Sequence, residues 1–145
     1  MKKIITNTGT LYASHLPSIE ELKSSGIKFD IIWNLTKEFS YFCIEEKNFA
    51  NNVLCANIED FSTPKDIFSF KEQLFEVIKV LKKNGIVLVH CLGGKGRTGI
   101  AVACIKILLD NLSVNDSLIF AKKYCNGPET EGQIEFIKYL NKILV

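Results

Sequence analysis

A central, mostly parallel sheet flanked by helices, an α/β fold, is the architecture this 145-residue sequence predicts. Three observations predict it. Short apolar, β-branched runs ("FDIIWNLT", "NVLCANI", "IVLVH") alternate with helical patterns. A glycine-rich stretch, "HCLGGKGRTG", stands between the last of these runs and an apolar segment that reads as a buried helix. The last three helical segments follow one another without a strand, so a helical cluster is expected on one face of a mixed sheet.

The elements follow in order. "SIEELKSSG" opens with a capping box, Ser18 to Glu21, and stops at Gly26, which predicts a short helix. "FDIIWNLT" reads as a buried strand. Residues 38–52 are ambiguous; a short helix followed by a loop is the expectation. "NVLCANI" reads as a second buried strand. In "STPKD" Thr63 is the expected N-cap and Pro64 the first helical residue. Ile67, Phe70, Leu74, Ile78 and Leu81 recur at spacings of three and four and predict an amphipathic helix with this stripe in the core. Lys82, Lys83 and Gly85 suit its end. "IVLVH" is a third short strand. The glycine-rich loop comes next, then Ile100 to Leu109 as a buried helix. A helix starting at Ser113 ends before Gly127-Pro128. A last one opens with a second capping box, Thr130 to Gln133.

Composition narrows the function. Hydrophobic residues make up 47% and charged residues 23%, ordinary for a globular domain, and residues 1–145 read as one domain. A net charge of +2 gives no ground for a nucleic-acid or membrane partner. No stretch approaches a membrane span, and "MKKIITNTGT" lacks the apolar core of a signal peptide. The most apolar helix is interrupted by Lys106. Five cysteines, without a C-x-x-C pair or zinc spacing, read as reduced cytoplasmic thiols. Cys43, Cys55, Cys104 and Cys125 sit in apolar surroundings as small core residues; glycines and basic groups follow Cys91.

The loop carries the chemistry. It holds four of the nine glycines and the one arginine among 18 basic residues. A strand that ends in such a loop and opens a helix suits an anion, because backbone N–H groups turn inward and the helix N-terminus is partly positive. The dinucleotide pattern G-x-G-x-x-G fits only loosely at Gly94 to Gly99, with no acidic residue at the ribose-binding distance in a suitable place. The nucleotide pattern ending Gly-Lys-Ser/Thr is missing. Cys91-x5-Arg97 instead wraps one loop around one oxyanion. An arginine fork can take two phosphoryl oxygens at once, whereas lysine is a point charge. The same cations and helix end favour the Cys91 thiolate. Leu92, Gly93, Gly94, Lys95, Gly96 and Arg97 would then hold the phosphate, with Lys95 at the rim. Thr98 can offer its hydroxyl to sulfur, and His90 is expected to brace the loop backbone.

"HCLGGKGRTG" resembles the His-Cys-x5-Arg-Ser/Thr loop of the cysteine-dependent protein tyrosine phosphatase superfamily, and the short chain resembles its small dual-specificity group. "EDFSTP" is similar to that group's general-acid loop, which implies Asp60 as the acid, with neighbouring Glu59 the alternative. "ETEGQ" resembles a late loop that places a glutamine near the attacking water, which suggests Gln133; the residue reads equally as the cap partner of Thr130. "LYASHLP" resembles the opening strand and turn, with His15 an ordinary turn residue. The resemblance implies a phosphocysteine on Cys91, a proton from Asp60 to the leaving oxygen, and charge held by Arg97 and loop amides, with no metal and no cofactor. The implied substrate is phosphotyrosine, with phosphoserine or phosphothreonine, in a protein. A non-protein substrate (an inositol phosphate or lipid, or an RNA 5′-triphosphate) and a non-catalytic phospho-binding module are the alternatives. Leu92 stands where inositol-lipid phosphatases carry a basic residue.

Overall fold

The computed structural model describes residues 1–144; the last residue of the expected 1–145 domain lies outside them. Five strands form one sheet in the order β1-β2-β5-β3-β4. They are β1 (Lys2–Ile4), β2 (Thr10–Ser14), β3 (Phe29–Thr36), β4 (Ala50–Ile58) and β5 (Ile86–His90). Only β1 with β2 is antiparallel; β2 with β5, β5 with β3 and β3 with β4 are parallel. The mostly parallel sheet is therefore as expected, with β1 an added edge strand too short and polar to show as a run.

The helices are α1 (Ile19–Ser25), α2 (Cys43–Glu46), α3 (Ile67–Lys82), α4 (Gly96–Asp110), α5 (Val114–Cys125) and α6 (Glu131–Leu144). Helix α1 has both halves of the Ser18–Glu21 capping box and ends at a left-handed Gly26. The main core lies on the face carrying α3 to α6. There Ile31, Trp33, Val87 and Val89 meet Phe70, Leu74, Ile100 and Ile137. Leu22, Phe29, Ile32 and Leu88 form a smaller core on the opposite face. Period-two alternation sends neighbouring residues of β3 and β5 to the two faces, so both strands are mostly apolar on both faces, with Asp30, Asn34, Thr36 and His90 the polar exceptions.

Several expectations need correction. Strand β4 is not a buried central strand: it pairs only with β3, and Asn51, Asn52 and Asn57 are exposed. Its bounds also take in residues expected to be loop, after a single 3-10 turn (Ser40–Phe42) and the four-residue α2. Thr63 and Pro64 precede α3 rather than start it. Asp66 is the N-cap, its carboxylate accepting from the Ser69 N–H, a shorter route to a satisfied first turn. At the other end the left-handed residue is Asn84, not Gly85. Helix α4 starts at Gly96, so the second half of the loop is already helix. Lys106 interrupts nothing there, because its ammonium donates to the Ile5 carbonyl and pairs with Asp110. Finally, Cys43 and Cys55 are joined as a disulfide, against the reading of all five cysteines as reduced; α2 packs on β4 and brings the two together.

Parallel strands leave their carboxyl ends at one edge of the sheet, and loops after neighbouring strands meet there. Glu38 follows β3, Asp60 follows β4 and Cys91 follows β5. That edge positions the site.

Candidate active site

Cys91 is the first residue beyond β5 and is 3% exposed. Its Sγ accepts from the Gly94 N–H at 3.2 Å and from the Thr98 hydroxyl at 3.0 Å. The loop thus curls around the sulfur and returns to it through the first turn of α4. Gly94 has φ +74°, and a Cβ there would stand 2.9 Å from the His15 N, so only glycine fits the turn. The Leu92 carbonyl accepts from the Leu16 N–H at 3.0 Å, tying the loop to the turn after β2. Leu92, Gly93 and Lys95 are exposed, whereas Gly96, Arg97 and Thr98 are buried.

Arg97 is 1% exposed and threads from α4 across to the neighbouring strand ends. Its Nη1 donates to Glu38 Oε1 at 2.6 Å and to the Ile58 carbonyl at 2.8 Å. Its Nη2 donates to Glu38 Oε2 at 2.9 Å and stands 3.3 Å from Asp60 Oδ1. Among the described residues, Arg97 Nε is the one buried side-chain nitrogen or oxygen without a partner. One edge of the guanidinium is therefore anchored by Glu38, and Nε is left unpaired. Burial works against the arginine's charge, but Glu38, Cys91 and Asp60 outweigh it and hold its pKa above the ordinary value. The same hydrogen bonds from Arg97 hold Glu38 below the usual carboxylate range.

Asp60 reaches the same guanidinium, and its Oδ1 also accepts from the Phe61 N–H at 3.0 Å. Glu59 points elsewhere: it pairs with Lys37 at 3.2 Å and Lys65 at 2.8 Å, both on the surface, and these keep its carboxyl below the usual range. The loop after α5 closes the other side. Gly127 lies so near the Cys91 loop that a Cβ on it would stand 2.2 Å from the Lys95 carbonyl. This contact brings Glu129 over α4, where its Oε1 accepts from the Gly96 N–H at 3.1 Å. Gln133 is the cap partner of Thr130, and its Oε1 accepts from the Glu129 and Thr130 N–H groups at 2.8 and 3.2 Å. Its Nε2 donates to the Ser62 carbonyl at 3.0 Å, which ties α6 to the loop that bears Asp60.

Cys91, Arg97, Thr98 and Asp60 are thus brought together, with Gln133 at the side and Lys95 on the rim. Glu38 and Glu129 went unnoticed in the sequence. Glu38 lies two residues beyond the end of β3, which is the one sequence signal it has. Burial pushes the thiols of Cys104 and Cys125 up, to about 12 and about 11. Among the described residues no group of three or more His, Cys, Asp or Glu could hold a metal ion. No helix among them is long and apolar enough to cross a membrane.

Comparison with known proteins agrees with this geometry. A mutant form of Tk-PTP has a crystal structure that superposes with a TM-score of 0.83 at 25% identity, over 98% of this chain and 95% of that one. Cyclin-dependent kinase inhibitor 3 of Rattus norvegicus is 31% identical over 127 residues, 84% of this chain and 58% of its own length. Protein tyrosine phosphatase domain-containing protein 1 of Danio rerio is 29% identical over 76 residues, 50% of this chain but only 11% of that protein. Residues 8–110, from β2 to the end of α4, match the family Tc-R-P, described as "Polymorphic toxin system, DSP-PTPase phosphatase". A Cys-x5-Arg loop between a buried strand and a buried helix, on the fold of that family, makes this chain a member of the DSP-PTPase phosphatases of polymorphic toxin systems, within the cysteine-dependent phosphatase superfamily.

Proposed function

We propose that the chain is a phosphomonoester hydrolase acting on phosphotyrosine, and on phosphoserine or phosphothreonine, in proteins. One observation carries the reading: the loop that curls around the Cys91 sulfur opens the helix bearing a buried arginine whose Nε has no partner. A buried donor without an acceptor is costly unless an acceptor arrives, and a phosphoryl oxygen is the acceptor that this loop suits. The Glu129 carboxylate on the Gly96 N–H is a second sign, since an anion already uses a loop amide. An incoming phosphate displaces it.

The reaction has two steps. The Cys91 thiolate attacks phosphorus; an S–P bond forms as the P–O bond to the substrate breaks, and Asp60 gives the leaving oxygen its proton. Water then attacks phosphorus as the P–S bond breaks, giving its proton to Asp60 and releasing inorganic phosphate. The Arg97 Nε edge and the amides of residues 92–97 hold the charge on the equatorial oxygens. Thr98, donating to sulfur, stabilises the thiolate both as nucleophile and as leaving group. Gln133 retains one amide hydrogen beyond its bond to Ser62 and is assigned to the attacking water. No metal or cofactor takes part in these steps. Leu92 and Phe61, both exposed, supply apolar surface at the mouth for an aromatic ring.

The whole chain is read as one phosphatase domain, acting on protein rather than nucleic acid. The names of its relatives, which include a tyrosine phosphatase and a cyclin-dependent kinase inhibitor, support a protein partner. A cytoplasmic place of action fits the need for a free Cys91 thiol. The test is turnover of p-nitrophenyl phosphate and of phosphotyrosine and phosphoserine peptides by the wild type and by Cys91→Ser. The variant should lose turnover and still bind phosphate, because the cradle remains. Turnover by Cys91→Ser within about tenfold of wild type overturns the covalent mechanism.

A further inference from the structure

Beneath Cys91 lies a line of polar groups that the proposed reaction does not use. His90, Glu46, Asn34 and Thr36 are each fully buried, on the sheet face opposite the main core. Their hydrogen bonds can be counted. The Thr36 N–H and hydroxyl both donate to Asn34 Oδ1, at 3.0 and 2.7 Å, which fixes the orientation of that amide. Asn34 Nδ2 must then donate, and it does, to the Phe39 carbonyl at 3.1 Å and to Glu46 Oε1 at 2.9 Å. Glu46 Oε1 is therefore a pure acceptor. At the other end His90 Nδ1 lies 3.3 Å from the Cys91 carbonyl, which can only accept, so Nδ1 carries a hydrogen. One contact is left, His90 Nε2 to Glu46 Oε2 at 2.6 Å. It holds one proton, bound to nitrogen or to oxygen, and in either case the pair is neutral overall.

We infer that Glu46 is a positioning residue for the nucleophile. It shares one proton with His90, and His90 in turn holds the carbonyl of Cys91 at the root of the loop. The inference rests on the reading of Cys91 as nucleophile. With the proton on nitrogen, the pair is a carboxylate and an imidazolium, and the cation lies one residue from the sulfur. The buried carboxylate is what keeps that cation in place, because an unpaired charge is strongly disfavoured there. The groups facing the ring are Glu46 from α2, Asn34 from β3 and Ser14 from β2, whose hydroxyl donates to the His15 carbonyl. Glu46 is thus the acid among them. A merely structural role would predict lost stability alone; a positioning role predicts a change in the reactivity of Cys91.

Glu46→Gln separates the two. Its amide oxygen can still accept from Asn34, and its NH2 can donate to a neutral His90 Nε2, so the packing is kept and the shared proton is lost. The readout is the iodoacetamide alkylation rate of Cys91, followed by peptide mass spectrometry from pH 5 to 9. It needs no phosphatase turnover. Cys104 and Cys125 are buried thiols, and the peptide masses separate them from Cys91. Glu46→Gln removes the imidazolium one residue from the sulfur together with the more distant carboxylate behind it, so the field at the sulfur changes by less than a unit charge would change it and the effect is several-fold rather than orders of magnitude. The rate at pH 6 relative to pH 9 should therefore fall about fivefold in Glu46→Gln. A ratio unchanged within about twofold overturns the inference. If Glu46→Gln does not melt cooperatively, the imidazole 15N spectrum of the wild type decides. A His90 ring with hydrogen on Nδ1 and a shared proton at Nε2 supports the assignment, and a ring without hydrogen on Nδ1 overturns it. An inactive wild type whose Cys91 alkylation still responds to Glu46→Gln would instead refute the phosphatase reading and leave this one standing.

Discussion

Arg97→Lys keeps the charge and removes the geometry, which makes it the sharpest test of the site. In the wild type Nη1 and Nη2 grip both oxygens of Glu38, and Nη1 also takes the Ile58 carbonyl. These contacts fix the guanidinium and leave its Nε without a partner. A lysine offers one ammonium for all of these places. Drawn to Glu38, it leaves no donor at the ligand; drawn to the ligand, it leaves Glu38 without its partner. The loss is that of a preorganised charge-stabilising donor, about 2.7–4 kcal/mol in the transition state, or roughly a hundred- to a thousandfold in kcat/KM. Because the donor acts on charge that grows during the reaction, the loss should fall mainly on kcat. The Ile58 carbonyl keeps its bond from the Lys37 N–H at 3.0 Å, so the stability cost there is that of one lost hydrogen bond, about 0.5–1.5 kcal/mol. The assay is kcat/KM on a phosphotyrosine peptide, beside a urea melt that separates lost catalysis from lost folding. A folded Arg97→Lys within about threefold of wild type would refute the argument that the fork, rather than its charge, is what the site requires.

Asp60→Asn should lower kcat/KM on an alkyl or tyrosyl phosphate by roughly 10²–10⁴-fold, because an amide cannot deliver a proton. Glu59→Gln should leave the rate intact, since Glu59 is held by Lys37 and Lys65 on the surface; the reverse pattern would move the acid by one residue. Glu38 makes a prediction about stability. Its pKa is lowered by Arg97, so its contribution is present above the ordinary carboxyl value of 4.5 and is lost as the pH falls. Glu38→Gln should therefore flatten the acid side of the stability curve, read by urea melts from pH 3 to 6. The effect is small, because the Glu38 side chain is 36% exposed. An acid limb as steep in the variant as in wild type would mean that the pair does not form in solution.

What the sequence determined by itself is whatever is encoded locally. The Ser18–Glu21 and Thr130–Gln133 boxes, the stripe of α3 and the apolar runs of β3 and β5 need only neighbours a few residues away. The Cys91 loop belongs with them: its sulfur is held by Gly94 and Thr98, three and seven residues on, within one turn of backbone. Where two local signals competed, the sequence misled. Thr63-Pro64 looked like a helix start, yet Asp66 caps it. The run "NVLCANI" is as apolar as a central strand, and only its place at the sheet edge exposes it.

The tertiary structure decided what depends on order in the sheet. Placing β5 between β2 and β3, with β4 outside, brings the ends of β3, β4 and β5 to one edge. Glu38 and Asp60, 59 and 37 residues before Arg97, meet its guanidinium there. Asn34 in an otherwise apolar strand could have been noticed, but its partner Glu46 sits in a four-residue helix with no periodicity to announce it. Cys43 and Cys55 likewise lie in segments with no spacing rule between them, and only the packing of α2 on β4 joins them. Side chains far apart in the chain become one site through strand order, and no local pattern of residues carries that order.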